Sequence, residues 1–415
     1  MDLELARQLS VTNQSKILLL VMDGLGGLPH PETGRTELET AQTPNLDALA
    51  AQSACGFTLP VALGVTPGSG PGHLALFGYD PLKYNIGRGA LEAAGIDFDL
   101  QPQDVAARGN FCTVDGKGLV TDRRAGRITS ERCGELCAEL RQIALEGVEV
   151  FVEPLREHRF VFVLRPDGRA SARGDGLPAG RRGLSDAVAD TDPQQVGAEP
   201  AGPQATAPEG EATARLVALF VEEARRILAD AGPANMLLLR GFARRPDWPS
   251  MSEVFKLRPA AVAHYPMYRG LARLVGMEAL PAGPGIEDSI ATVKENWDRF
   301  DYFFVHYKYT DTAGEDADFE RKVEKLEEVD AAIPSLAALK PDVLMVTGDH
   351  STPAVQAVHS WHPVPFLMRA PWTRADSCDA FNEVALEKGS LGTFPAVEAL
   401  PLAMAHAGRL TKYGA

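Results

Sequence analysis

Six side chains able to bind a metal stand just beyond apolar runs of the chain: Asp23, then Asp311 and Glu315, then Asp349, His350 and His359. Mixed carboxylates and imidazoles suit Mn²⁺ or Zn²⁺ better than Mg²⁺, which prefers a shell made entirely of oxygen. The set is too large for one tetrahedral ion and about right for two. A pair of ions can clamp the attacking and leaving oxygens of a phosphoryl transfer. Such a transfer needs an acceptor, and Ser69 stands in Thr66-Pro67-Gly68-Ser69-Gly70-Pro71-Gly72-His73, just before the apolar run Leu74 to Phe77. Glycines let a backbone approach a phosphate closely, and a following helix N-terminus favours negative charge. Coordination to a metal would lower the pKa of the Ser69 hydroxyl and make it a nucleophile. Taken singly these residues are ordinary: Asp23-Gly24 reads as a turn, Ser69 as a loop serine and His73 as a packed helix-start residue. Together they are far more specific.

Three similar runs position them. Residues 16–22, 301–306 and 342–347 are short and mostly apolar, and each ends in polar or charged residues. Such runs suit strands buried on both faces of a parallel sheet. In open α/β sheets the ligand site lies at the carboxyl ends of the strands, so these three remote stretches converge there. Residues 43–52, 287–300 and 318–333 read as helices, the first with a proline in its opening turn and the last two amphipathic and charged. Alternating strands and helices predict a doubly wound α/β domain. Gly24-Leu25-Gly26-Gly27 lacks the G-x-G-x-x-G spacing of a dinucleotide fold, and that reading is rejected.

The middle of the chain differs. Residues 160–164 and 235–239 look like strands and 212–229 like a helix, while a Gly/Pro/Ala/Arg-rich stretch at about 166–211 reads as a long mobile loop or an insertion. The expected organisation is a discontinuous metal-binding core, residues 1–98 and 251–415, around an inserted second α/β domain, residues 99–250. No internal repeat is visible.

With 415 residues the chain is long enough for two domains. Its net charge of −15 argues against nucleic-acid binding, whereas an anionic small substrate would need a local basic pocket. No apolar run approaches the roughly 18–20 residues of a membrane span, and the first residues lack the apolar stretch of a signal peptide. Five scattered cysteines, of which only Cys133 and Cys137 are close, read as reduced thiols in a cytoplasmic protein.

Longer blocks carry a family resemblance. Val21-Met22-Asp23-Gly24, Pro67 to His73, Gly87-Arg88-Gly89, Tyr265-Pro266-Met267-Tyr268, Thr310 to Gly314, Thr347 to Pro353 and His359 to Pro365 resemble the archaeal-type cofactor-independent phosphoglycerate mutases, over almost the whole chain. The resemblance implies an alkaline-phosphatase-like doubly wound core and a substrate-covering insert. It implies one metal held by Asp23, Ser69, Asp349 and His350 and another by Asp311, Glu315 and His359. The ions are expected to be Mn²⁺, with Zn²⁺, Co²⁺ or Mg²⁺ as alternatives, and no bisphosphoglycerate is required. Ser69 would take the phosphoryl group of 3-phosphoglycerate and return it to the other hydroxyl. Arginines bind phosphate and carboxylate through paired hydrogen bonds. Candidates are Arg124, Arg127, Arg165, Arg240 and Arg244, with Arg240 best placed because it follows a strand directly.

Two positions depart from the family pattern. Glu315 stands where histidine is usual, which adds negative charge and hardens the site, and Arg269 stands where lysine is usual. His362, three residues beyond His359, is read as structural. Two other functions fit the same residues: a metal-dependent phosphate-ester hydrolase, and a non-catalytic relative with an altered second metal site. The expected partner is a small anionic phosphorylated substrate, and a homo-oligomer is left open.

Overall fold

A computed structural model describes residues 1–167 and 183–414. These form two compact units, Met1–Asn85 with Trp248–Ala415, and Ile86–Asp247.

The first unit holds β1 (Ile17–Met22) and β2 (Ala54–Leu59) before the chain enters the second unit, which holds β3 (Val105–Val114), β4 (Val120–Asp122), β5 (Val148–Pro154), β6 (Arg159–Pro166) and β7 (Met236–Ala243). The chain then returns with β8 (Pro259–Ala263), β9 (Glu278–Leu280), β10 (Tyr302–Tyr307), β11 (Val343–Thr347), β12 (Val364–Arg369) and β13 (Gly392–Pro395). The first unit's sheet has the order β13-β2-β12-β11-β1-β10-β8-β9. Its centre is parallel, and only β12 runs antiparallel to its neighbours. Strand β1 lies between β10 and β11, with Leu20 level with both Val305 and Val346. Every residue of these three strands is buried, as a sheet covered on both faces requires. On one face Leu18, Leu20 and Met22 share a core with Ile286 and Ile290 of the Ile286–Glu295 helix and Leu326 of the Phe319–Ala337 helix. On the other, Phe304 meets Phe77 edge-on at 4.9 Å. Helices on both faces give the doubly wound architecture.

The helix read over residues 287–300 stops earlier, at Glu295, where Asn296 donates its side-chain amide to Thr292 O. The second unit's sheet is antiparallel throughout. Its mix of strands and helices comes from hairpins with helices laid against them, not from βαβ units. The Ser130–Leu140 and Glu211–Leu228 helices cover one face, burying Leu136, Val217 and Phe220 against Phe160 and Phe162.

Part of the stretch read as a mobile loop is tied down. Thr191 N donates to Leu239 O, Val188 bridges to Ala205, and Asp192 takes a forked bond from Arg123. Residues 168–182, the most biased part of it, lie outside the described residues. All five cysteines are free and buried, and Cys133 and Cys137 share one helix. Among the described residues no helix is long and apolar enough to cross a membrane.

Candidate active site

Parallel pairing puts the ends of β1, β10 and β11 on one edge of the first sheet, and the chemistry gathers there. Asp23 follows β1. Asp311 and Glu315 lie one turn apart on the Tyr309–Glu315 helix that follows β10. Asp349 and His350 follow β11. Two clusters form, Asp23 with Asp349 and His350, and Asp311 with His350 and His359, and within each the donor atoms lie inside 4.8 Å. His350 belongs to both: its Nε2 is 3.2 Å from Asp23 Oδ1 and from Asp349 Oδ2, and its Nδ1 is 3.9 Å from Asp311 Oδ1. His359 Nε2 lies 3.7 Å from Asp311 Oδ1 and from Glu315 Oε1. Glu315, half-exposed, thus lies beside His359 but is not among the three residues whose donor atoms cluster there.

Ser69 is the first residue of the Ser69–Leu76 helix rather than part of the loop before it, and Ser69 Oγ is 3.3 Å from His350 Nε2. Close packing holds it there. A Cβ on Gly72 would meet Asp349 O at 2.2 Å, so only glycine lets this helix approach the β11 edge. Gly24, with φ +66°, plays the same part after β1, where a Cβ would meet Asp311 at 2.8 Å.

Four supporting residues are not in the sequence-derived set. His73 is fully buried, with Nδ1 2.8 Å from Ser69 O and 3.1 Å from Asp349 Oδ2, so its packed position also braces the site. His306, in β10, places Nε2 3.2 Å from Asp23 Oδ2 and stacks on Tyr268 at 3.7 Å. Burial holds the His306 imidazolium down to about 4, against the pull of Asp23. Lys308 pairs with Asp23 at 3.2 Å and with Asp311, three residues on. Thr352 donates to Asp311 Oδ1 at 2.6 Å. Their sequence signals are thin: a histidine ending an apolar run, a lysine at helical spacing from an aspartate.

Charge balance separates the carboxylates. Burial works against ionising Asp23, yet Lys308, His306 and His350 hold its carboxyl well below the usual range. Burial and the negative Asp23 raise Asp349, but His350 and His73 outweigh them and its carboxyl ends low. Asp311 is pushed up, first by burial and then by Asp23. His359 is lowered by burial but raised by more through Glu315, the Pro67 carbonyl, Asp311 and Asp349 together, and ends at about 9.

The donor set fits two divalent cations. Asp23 Oδ1 and Asp349 Oδ2 are buried and accept no hydrogen bond, although each is fully formed as an acceptor and points into the cluster. Imidazoles lie 3.1–3.2 Å from both oxygens, but a buried carboxylate oxygen without a hydrogen bond is still costly, and a cation between the two removes that cost.

Of the arginines read from the sequence, Arg269 belongs to the first unit, on the Pro266–Leu274 helix beside Tyr268, with a buried Nε that has no partner. The others lie in the second unit. Arg124 and Arg127 are exposed. Arg165 is committed to Asp104 through a 2.7 Å bond and covers the Phe151 ring at 4.9 Å, and Arg244 donates to Pro102 O at 2.8 Å. Arg240 lies 3.6 Å from Asp190 and 3.5 Å from Asp192. Directly across the β3–β7 pair from it stands Arg108, 8% exposed, with an unpartnered Nε. Burial and then Arg88 bring the Arg108 guanidinium down to about 10, with Arg240 and Arg159 adding to the repulsion. Like charges opposed across a sheet are destabilising; Asp190 and Asp192 partly offset Arg240, and Glu92 partly offsets Arg108. His362 pairs with Ser360 and stacks on Trp361, outside both metal clusters.

Fold and site together define an α/β enzyme that collects acidic, imidazole and hydroxyl groups at the carboxyl edge of its sheet. Residues 50–234 match the family model described as 2,3-bisphosphoglycerate-independent phosphoglycerate mutase. A Thermus thermophilus protein described as a probable 2,3-bisphosphoglycerate-independent phosphoglycerate mutase is 51% identical over 99% of this chain and 98% of its own. An Aquifex aeolicus relative so described is 49% identical over all of both chains. Among solved structures, a Pyrococcus horikoshii protein superposes with a TM-score of 0.81 at 28% identity, covering 97% of this chain and 100% of its own. The cofactor-independent phosphoglycerate mutase of Thermoplasma acidophilum gives 0.70 at 29%, covering 95% and 100%. The chain belongs to the 2,3-bisphosphoglycerate-independent phosphoglycerate mutase family, a family of isomerases.

Proposed function

We propose that the chain interconverts 3-phosphoglycerate and 2-phosphoglycerate through a phosphoserine at Ser69. The observation that carries this reading is the Ser69 hydroxyl, 3.3 Å from the imidazole that belongs to both metal-type clusters. Asp23, Ser69, Asp349 and His350 would hold one cation, and Asp311, Glu315 and His359 the other. The mixed oxygen and nitrogen donors favour Mn²⁺. When bound, such ions supply Lewis-acid charge and lower the pKa of the serine hydroxyl.

The chain's own groups do the rest. His73 fixes Asp349 and His306 fixes Asp23, and Lys308 keeps positive charge beside Asp23. Ser69 Oγ gives up its proton as its bond to phosphorus forms, the bond from phosphorus to the 3-oxygen breaks, and that oxygen takes a proton. The glycerate turns, its 2-hydroxyl loses a proton as it attacks phosphorus, the Oγ–P bond breaks, and Oγ takes a proton back. Nothing is gained or lost overall. Arg269, with its unpartnered Nε, and the cluster of Arg88, Arg108, Arg159 and Arg240 are assigned to the substrate's anionic groups, whereas Arg165 is assigned to holding Asp104.

The test is a mutase assay on Mn²⁺-loaded protein without added bisphosphoglycerate, beside Ser69→Ala. Wild type should convert the substrate, and the variant should lose at least about a thousandfold, as removal of a nucleophile requires. Release of inorganic phosphate without isomerisation would make the protein a hydrolase instead.

A further inference from the structure

A second group of metal-type donors lies away from the site above. Cys55, Asp376 and Cys378 bring two thiol sulphurs and a carboxylate oxygen within 4.8 Å of one another. Cys55 is in β2, two places from β11 in the strand order and level, through Leu367, with Val346, three residues before Asp349; two strand spacings alone amount to about 10 Å. Its donors therefore serve neither cluster at Ser69.

The trio is held from two sides. Asp376 Oδ2 accepts from Cys55 N at 2.7 Å, from Ser390 N at 2.9 Å and from Ser390 Oγ at 3.2 Å, and Oδ1 accepts from Cys378 N at 3.2 Å. The strand and the 376–390 segment are thereby fixed to one carboxylate, whose charge is steadied by N–H groups rather than by a basic side chain. Oδ1, with a single weak donor, keeps a lone pair free. Both sulphurs are buried, Cys55 fully and Cys378 to 2% exposure. In the protonated state each thiol has a backbone carbonyl in reach, Ala50 O at 3.6 Å from Cys55 Sγ and Ala385 O at 3.3 Å from Cys378 Sγ.

Ligand atoms about 2.0–2.3 Å from a tetrahedral ion stand roughly 3.5–4 Å apart, close to the spacing of these donors, all within 4.8 Å of one another. Thiolate ligands select borderline-soft ions and reject Mg²⁺ and Mn²⁺. We propose that Cys55, Asp376 and Cys378 form a non-catalytic site for a divalent ion of the Zn²⁺ class, which clips the 376–390 segment to β2. Three protein donors leave the fourth tetrahedral position to a water. Binding expels one proton from each thiol, so one divalent ion enters as two protons leave. Burial and the Asp376 charge hold the Cys378 thiol up at about 11, so the ion must displace those protons rather than find thiolates waiting.

The experiment is a Co²⁺ titration of the full-length, chelator-stripped and phosphine-reduced protein, followed by absorption. A thiolate-to-Co²⁺ charge-transfer band in the near ultraviolet should saturate at one ion per chain and disappear when Zn²⁺, but not Mg²⁺, is added. Oxygen and nitrogen donors give no such band, so the Ser69 site is silent and the outcome is independent of the mutase reading. The band should persist in Asp23→Asn and be lost in Cys55→Ser and in Cys378→Ser, each checked for native circular dichroism. Its absence from wild type at saturating Co²⁺, a measurement that needs no variant, overturns the proposal. So does a band that survives both serine substitutions.

Discussion

In the proposed second metal site, Glu315 would tie the protonation of His359 to metal loading. A protonated imidazole has no lone pair for a metal, and His359 sits at about 9 because Glu315, Pro67 O, Asp311 and Asp349 together outweigh burial, Glu315 contributing most among them. In the metal-free protein its folded pKa lies above the unfolded value, so the stabilisation from the His359–Glu315 pair is complete below about 6.5 and is lost as pH rises through about 9. Metal affinity should run the other way and tighten with pH across that window. Glu315→Gln removes the partner charge, and the midpoint of the pH dependence should fall by about one unit. Calorimetry of Mn²⁺ binding in buffers of different ionisation enthalpy checks this: proton release on binding at pH 7.5 should be smaller in the variant. Unchanged release would mean that Glu315 does not set the state of His359.

The elements act by where they end and how closely they pack. Gly72 lets the Ser69 helix lie against Asp349, and Gly72→Ala forces a Cβ to within 2.2 Å of a backbone oxygen. One of the two must move. The variant should lose mutase activity and bind Mn²⁺ at least about tenfold more weakly, since shifts in the groups that orient ligands typically cost 10–100-fold; affinity of wild-type strength would contradict the packing role. Strands β1, β10 and β11 were readable because burial on both faces leaves an unbroken apolar run with its polar residues at one end. Strand β3 was not, because Arg108 and Asn110 interrupt the pattern that marks a buried strand. For the same reason Arg108 escaped notice, since its meaning comes from Arg240 across the ladder, a pairing that sequence spacing does not contain. The residues proposed as ligands stood at strand ends, so the sequence placed them together. His306 and Lys308 could not be assigned, because their roles depend on which carboxylate folds up beside them.

For the whole molecule, a net negative charge and the proposed anionic substrate would be reconciled by local concentrations of positive charge. The chain carries −15 overall, yet Arg88, Arg108, Arg159 and Arg240 crowd together in the second unit with a guanidinium nitrogen left without a partner. Arg108→Ala should raise KM for phosphoglycerate by about 10–100-fold, the worth of a charged hydrogen bond of about 1.5–3 kcal/mol. An unchanged KM would detach the cluster from substrate binding. The central claim is that Ser69 carries the phosphoryl group between the two hydroxyls. Acid quenching of Mn²⁺-loaded enzyme during turnover, followed by peptide mass spectrometry, tests it directly. Phosphate should be found on the peptide containing Ser69, at that residue. A protein that isomerises the substrate while its phosphate is trapped on a different side chain would contradict it.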